Sequence, residues 1–128
     1  IAVAIDAESI IKKRCTVFIL SDFFDKDDFT SQLTIANRRH DVVALQIYDQ
    51  RLAELPNIGI IKVCDAETGS ETYIDTSSRQ TRRAHHERWV RNQMLLRNIF
   101  TKSNVDNISI RTDEDFVKAL MMLFRRRA

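Results

Sequence analysis

The stretch Cys15–Asp25, which reads CTVFILSDFFD, decides the fold of this 128-residue chain. Six apolar or β-branched residues, Cys15–Leu20, are followed at once by an acidic loop. A short apolar run bounded by a polar loop predicts a strand that is buried on both faces. In open α/β sheets, ligands bind at the carboxyl ends of such strands. Asp22 is therefore predicted to lie at a ligand-binding edge of a sheet.

Strand and helix patterns alternate along the rest of the chain. Val42–Tyr48 predicts a second buried strand, and Val105–Ile110 predicts a third strand. Gly59–Cys64 and Glu71–Thr76 predict an antiparallel hairpin, and Gly69 supplies the positive φ that a tight connection needs. Alternating strands and helices imply a parallel sheet with right-handed crossovers. The predicted fold class is α/β: a partial doubly wound, Rossmann-like sheet of three parallel strands, with an inserted β-hairpin and flanking helices.

The helices are predicted from apolar residues at helical spacing and from residues that favour helix ends. Residues 27–39, with Asp25 as N-cap, residues 78–102 and a last helix capped by Thr112 are the main ones, and residues 5–13 predict the end of another. The apolar stripes are Phe29, Leu33 and Ala36; Trp89, Leu96 and Phe100; and Phe116, Leu120, Leu123 and Phe124.

The composition is that of an ordinary globular domain, with 44% apolar residues, 30% charged residues and a net charge of +2. No stretch approaches the roughly 20 apolar residues of a membrane span. Cys15 and Cys64 lack the spacing of a zinc site, which predicts buried free thiols in a reducing compartment. We therefore expect a cytoplasmic protein. Because the chain begins at Ile1 rather than Met, we also expect it to enter part-way through a longer protein.

Several segments, in this order and spacing, resemble the DUF58 family: Arg14–Asp25, Arg39–Asp49, Glu54–Gly59, Asp65–Gly69, Asp106–Thr112 and Phe124–Arg127. That family resembles a von Willebrand factor A domain, a doubly wound α/β sheet with a metal-ion-dependent adhesion site at its strand ends. Its members are bacterial proteins, often encoded beside a MoxR-type AAA+ ATPase. The resemblance implies a protein–protein interaction domain, not an enzyme, with an assembly or stress role alongside such an ATPase.

The resemblance also implies an incomplete metal site. In the adhesion site, an Asp-x-Ser-x-Ser element on the first strand supplies most ligands, and a Ser-Asp element on the fourth supplies another acidic group. Ser21 and Asp22 match the second element, and the first is absent from the sequence. The chain thus resembles the C-terminal half of the family domain, forming a single domain over residues 1–128. Because a divalent oxygen site needs about six ligands, we expect no cofactor in this chain alone and Mg²⁺ in the intact protein.

The missing first strand has a consequence for assembly. In the family's sheet order, the strand Cys15–Leu20 lies between that first strand and Val42–Tyr48. Without the first strand, Cys15–Leu20 becomes an exposed edge that is apolar on both faces. Such an edge is a template for pairing with another chain, so we expect self-association.

A nucleic-acid-associated module is the first alternative. Helix 79–102 carries seven basic residues against Glu87 alone, and Arg125–Arg127 add a basic tail. The seven are Arg79, Arg82, Arg83, Arg88, Arg91, Arg97 and Lys102. Against this function, the net charge is small and no stacking aromatic pattern accompanies the arginines. An acidic protein partner, or interdomain contacts with the missing half of the domain, explains the basic face at least as well.

A metal-dependent hydrolase is the second alternative, because Asp22, Asp25, Asp27 and Asp28 form a carboxylate-rich loop. Helix capping and the helix dipole account for three of these four carboxylates. His85 and His86 point about 100° apart on a helix, so they do not chelate one ion together and are expected to face solvent. His40 precedes a strand and is expected to be a hydrogen-bonded loop residue.

Overall fold

The computed structural model describes residues 13–23, 28–65 and 68–127. In chain order the elements are β1 Thr16–Ser21, α1 Thr30–Arg39, β2 Asp41–Tyr48, α2 Gln50–Ala53, β3 Ile60–Cys64, β4 Glu71–Asp75, α3 Arg79–Ser103, β5 Asp106–Arg111 and α4 Phe116–Arg127. A parallel sheet has the order β1-β2-β5, and β3 and β4 form an antiparallel hairpin. The predicted fold class is confirmed. The predicted helix end at residues 5–13 lies, apart from Lys13, outside the described residues.

The chain divides into two compact units. The first holds the parallel sheet up to Asp49 and resumes at Gln93, and the second is Gln50–Asn92. The second unit contains the hairpin and the first half of α3. Within the described ranges, no helix has the length and apolar character needed to cross a bilayer. The single domain over residues 1–128 stays a prediction.

One face of the parallel sheet packs against α1 and the second half of α3. The buried cluster there is Ile19, Phe23, Phe29, Leu33, Ala36, Val42, Ala44, Leu96, Phe100 and Val105. The apolar stripe predicted for α1 is buried throughout, because its residues recur every three or four positions and so share one helix face. Burying each large side chain of this cluster stabilises the fold by roughly 1.5–3 kcal/mol. This face is therefore the main core of the first unit.

The opposite face of the sheet is covered only in part, by α4. Leu123 packs with Val43 and Leu45, and Leu120 and Ile108 lie beside them. The stripe predicted for α4 is therefore half confirmed, since its other members, Phe116 and Phe124, are exposed.

Phe18 and Leu20 pair in register with Val43 and Leu45 and so lie on the α4 face of β1. They remain 43% and 63% exposed. The α4 face of the sheet therefore continues on β1 as exposed apolar surface, beyond the area that α4 covers.

The end of α4 is held against the sheet by charge. The Arg127 guanidinium donates to the carboxylates of Asp41 and Asp106, at the starts of β2 and β5. The hydrogen bond to Asp41 is the main cause that raises the pKa of Arg127 above its ordinary value. This ion-paired contact holds the end of α4 at the starts of β2 and β5, and α4 covers β1 only in part.

The predicted start of α1 is wrong by three residues. The helix begins at Thr30, and Phe29 before it makes no side-chain cap bond. Asp28 instead accepts hydrogen bonds from Thr30 Oγ1 and Thr30 N, at 2.5 and 2.9 Å. The hydroxyl bond is the larger cause that lowers the pKa of Asp28. Asp25, the predicted cap, lies outside the described residues.

The predicted cap of the last helix is also wrong. The helix begins at Phe116, and Asp115 accepts the amide hydrogen of Val117 at 3.0 Å. Thr112 lies four residues before the first helical residue, and its amide donates to Tyr48 O at 2.9 Å, which continues the pairing of β5 with β2. The strand pairing thus extends to Thr112, and the helix begins later than the capping pattern at Thr112 predicts.

The thiols are less buried than predicted. Both are free, but Cys64 is exposed and Cys15 is half-buried. Cys64 ends β3, where Ile61 alone reaches even intermediate burial. His40 is 2% exposed, and its Nδ1 accepts the Cys15 amide hydrogen at 3.2 Å. Its Nε2 has no partner among the described residues, so the expected hydrogen-bonded histidine is only half satisfied.

We predict that the chain self-associates through β1. Among the described strands β1 is an edge, and Phe18 and Leu20 on it are exposed. A charge on an edge strand blocks strand pairing, so Leu20→Lys should shift sedimentation at micromolar concentration from dimer to monomer. Ile35→Lys, an equally polar change at an exposed residue of α1, should leave the dimer intact. A monomeric wild type would contradict the prediction.

Candidate functional site

The carboxyl end of β1 carries the two predicted metal ligands. Ser21 is the last residue of the strand, and its Oγ accepts a hydrogen bond from Phe23 N at 3.0 Å. The chain turns here with Phe23 at φ 56°, in the left-handed region. The Asp22 side chain is exposed, whereas Phe23 is 1% exposed. The turn therefore places Asp22 at the surface and directs the next side chain into the core.

The ring of Phe23 is the anchor of this turn. It stacks on Phe29 with centroids 6.0 Å apart and meets Phe100 edge-on at 5.3 Å. A left-handed conformation costs a non-glycine residue about 1–2 kcal/mol. Aromatic contacts contribute about 0.5–1.5 kcal/mol each beyond the burial of the ring itself. Packing thus outweighs backbone strain and fixes the position of Asp22.

Gln46 and Gln93 form a hydrogen-bonded pair next to this turn. Gln46 is 4% exposed and exchanges two hydrogen bonds with Gln93, at 3.0 and 3.1 Å. Gln46 Oε1 also accepts from Ser109 Oγ at 2.8 Å, and its Nε2 donates to Asp22 O at 3.3 Å. These bonds join the ends of β1, β2 and β5 to α3. They orient the backbone that carries Asp22.

The sequence interpretation missed this pair, although one signal was present. Gln46 is the only amide within the otherwise apolar Val42–Ile47. A polar side chain in a strand that is buried on both faces must find hydrogen-bond partners, because leaving it unpaired is costly. The identity of the partner was hidden, since Gln93 is 47 positions away along the chain.

Ser21 and Asp22 lie side by side at the carboxyl end of β1. Among the described residues, no group of three or more His, Cys, Asp or Glu side chains could hold a metal ion. Asp25 and Asp27 lie outside the described residues, and Asp28 is hydrogen-bonded to Thr30. Metal binding at Ser21 and Asp22 stays a prediction.

The second unit places the predicted histidine pair in a different setting. His85 Nε2 lies 3.0 Å from Arg51 O, and His86 Nδ1 lies 3.0 Å from Ala53 O. Both carbonyls belong to α2, so each ring contacts backbone in addition to facing solvent. His86 also lines a groove of about 410 Å³, whose other lining residues are Glu54, Leu55, Arg79, Arg82 and Arg83.

Comparison with known proteins shows one family. The model described as protein of unknown function DUF58 matches residues 1–94. An uncharacterised protein of Mycobacterium avium is 39% identical over 70 residues, which are 54% of this chain and 41% of that protein. Uncharacterised proteins of Mycobacterium bovis and Mycobacterium tuberculosis are 37% identical over 70 residues, 22% of each. The match thus spans less than half of these relatives. No solved structure matches.

We predict that Gln46→Leu destabilises the first unit through its lost hydrogen bonds. Each buried polar group that is left without a partner costs about 1–3 kcal/mol, and this change leaves the half-buried Gln93 amide without its partner, whereas the exposed Ser109 hydroxyl can bond water instead. Urea denaturation measures the free energy of unfolding.

Two further variants separate the hydrogen bonds from the change of shape. Gln32→Leu, at an exposed position of α1, should stay within about 0.5 kcal/mol of wild type. Gln46→Leu with Gln93→Leu should lose less than the sum of the single losses, because neither amide is then orphaned. Strict additivity would show that the pair does not act as a unit.

We also predict that Mg²⁺ adds little stability to this chain. Ser21 and Asp22 offer two of the roughly six oxygen ligands that a divalent ion requires. Weak binding at about 10 mM metal stabilises by well under 1 kcal/mol. The melting temperature should therefore hardly move. A rise of several degrees that disappears in Asp22→Asn would show that the site is more complete than its two predicted ligands.

Proposed function

This chain is a member of the DUF58 family, and on that premise we propose that it is a non-enzymatic protein–protein interaction domain. The partner that the family resemblance implies is a MoxR-type AAA+ ATPase, acting with this domain in the cytoplasm in assembly or stress response. The observation that supports the proposal is an apolar surface next to β1. Its residues are Phe18, Leu20, Val117, Met121 and Phe124, called here the β1–α4 surface.

The β1–α4 surface is continuous across two elements. Phe18 and Phe124 meet edge-on with ring centroids 6.4 Å apart. Val117 and Met121 lie seven and three positions before Phe124, and so share its side of α4. All five residues of the surface are exposed. Contiguous apolar patches of this kind mark sites of protein interaction.

Mg²⁺ enters the proposal only for the intact protein. Ser21 and Asp22 would supply two oxygen ligands at the carboxyl end of β1, the end at which open α/β sheets bind ligands. Hard cations such as Mg²⁺ prefer carboxylate and hydroxyl oxygens. The remaining ligands would come from other parts of the longer protein.

The nucleic-acid alternative has one observation in its favour. Arg79, Arg88 and Arg91 are exposed on α3, where only Glu87 opposes the basic residues. Binding through such a face would neutralise phosphates, so its affinity would fall steeply and linearly on a logarithmic salt scale. No observation favours the hydrolase, and we do not propose it.

The test is binding of the chain to a purified MoxR-type ATPase from the same organism, measured by surface plasmon resonance. Met121→Lys places a charge inside the β1–α4 surface and should weaken binding about tenfold or more, because a buried unpaired charge is costly. Met94→Lys, at an exposed residue of α3, is the matched control and should bind as wild type does. Absence of ATPase binding, together with a steep salt dependence of duplex DNA binding, would favour the nucleic-acid module instead.

A further inference from the structure

A basic stripe on the first turns of α3 has no part in the function proposed above. Arg79, Arg82, Arg83 and His86 recur at i, i+3, i+4 and i+7, and therefore share one helix face. All four line the groove of about 410 Å³ in the second unit, together with Glu54 and Leu55. We call it the Arg79–His86 groove.

The positive charge of the Arg79–His86 groove is poorly neutralised. Arg79 has no ion-pair partner among the described residues, and Glu54 is the one carboxylate that lines the groove there. Arg83 Nε lies 3.4 Å from Glu87 Oε1, but both side chains are largely exposed. Exposed pairs of this kind contribute at most about 1 kcal/mol. The first turn of α3 contains no acidic residue, so the helix dipole adds to the positive potential.

Hydrogen bonds hold one wall of the groove in place without a ligand. Arg82 Nη1 donates to Thr76 O at 2.7 Å, and Thr76 is fully buried. The Thr76 hydroxyl donates to Gly59 O at 2.5 Å and accepts from Ile58 N at 3.0 Å. A guanidinium held in this way has less side-chain freedom to lose when it binds an anion.

We propose that the Arg79–His86 groove binds an acidic peptide segment of a protein partner. Carboxylates of the segment pair with Arg79 and Arg83, and its chain lies over the apolar side chain of Leu55. This inference rests on the proposed function only in taking the partner to be a protein.

A nucleic acid fits the groove less well than an acidic peptide. Glu54 would repel a phosphate backbone, whereas a peptide of mixed charge can offer it a basic residue. None of the residues that line the groove is Phe, Tyr or Trp. Trp89, further along α3, is buried and presents no platform on which a base could stack.

The experiment measures binding of fluorescein-labelled octaglutamate to the full chain by fluorescence anisotropy at about 0.15 M ionic strength, where the Debye length is about 8 Å. The double variant Arg79→Gln/Arg83→Gln should weaken binding about tenfold, as expected for the loss of two exposed ion pairs. The double variant Arg88→Gln/Arg91→Gln removes the same charge from exposed positions of the same helix outside the groove lining. It should stay within about twofold of wild type if contacts, not net charge, decide the affinity.

Glu54→Gln has an effect of the opposite sign. Removing the only carboxylate of the groove lining should tighten octaglutamate binding, whereas a merely structural Glu54 would leave the affinity unchanged or lower it. Circular dichroism should match wild type for every variant, because all the substituted residues are exposed.

Three outcomes would overturn the inference. The first is absence of octaglutamate binding, and the second is equal weakening by the two arginine pairs. The third is tighter binding of an oligothymidylate of equal charge that is lost in Arg79→Gln/Arg83→Gln. The proposed function is tested separately, because Met121→Lys should weaken ATPase binding and leave octaglutamate binding unchanged. Groove-dependent octaglutamate binding without ATPase binding would leave this inference standing and remove the proposed partner.

Discussion

The packing of the Phe23 ring between Phe29 and Phe100 is the contact on which the first unit depends. These ring contacts hold together the end of β1, Phe29 directly before α1, and the last turns of α3. To make these contacts, the backbone of Phe23 adopts a left-handed conformation that a glycine would adopt without strain. A glycine would forfeit the ring, whose burial contributes more than the strain costs. The position of Asp22 in solvent is thus a by-product of the core.

Next to this hydrophobic contact, strand β2 buries a polar side chain, Gln46. Its burial is possible because its hydrogen-bonding groups have partners. The Gln46 amide has partners on both its oxygen and its nitrogen. A buried amide that made only one of these hydrogen bonds would lower the stability of the fold more than an apolar side chain at the same position. The pair with Gln93 also selects a unique alignment of α3 on the sheet, which apolar contacts alone specify less sharply. The strand ends are therefore joined by buried and half-buried hydrogen bonds.

The strands and the fold class were predictable because they depend on local features. A buried parallel strand needs an apolar run of a certain length, and Val42–Tyr48 supplies it whatever its neighbours are. The helix starts were predicted less well, because more than one polar residue near each start is able to cap it, and the bonds are made by Asp28 and Asp115. Thr112 carries a suitable capping pattern, but it lies four residues before the first helical residue, and its amide donates to Tyr48 O in the neighbouring strand. Of the candidate site, the sequence named Ser21 and Asp22, whose metal binding stays a prediction, while the glutamine pair was missed because Gln46 and Gln93 are 47 positions apart.

The apolar stripe of α4 shows why a hydrophobic pattern alone does not predict which residues are buried. Periodicity reports which residues share a face of a helix, not the width of the surface that receives that face. Here Arg127 holds the end of α4 at the starts of β2 and β5, and Leu120 and Leu123 meet the sheet. Phe124 reaches only the edge of Phe18 and remains half open to solvent. An amphipathic pattern wider than the buried area is thus itself informative: the apolar residues in excess of that area form the exposed β1–α4 surface, for which we propose a protein partner.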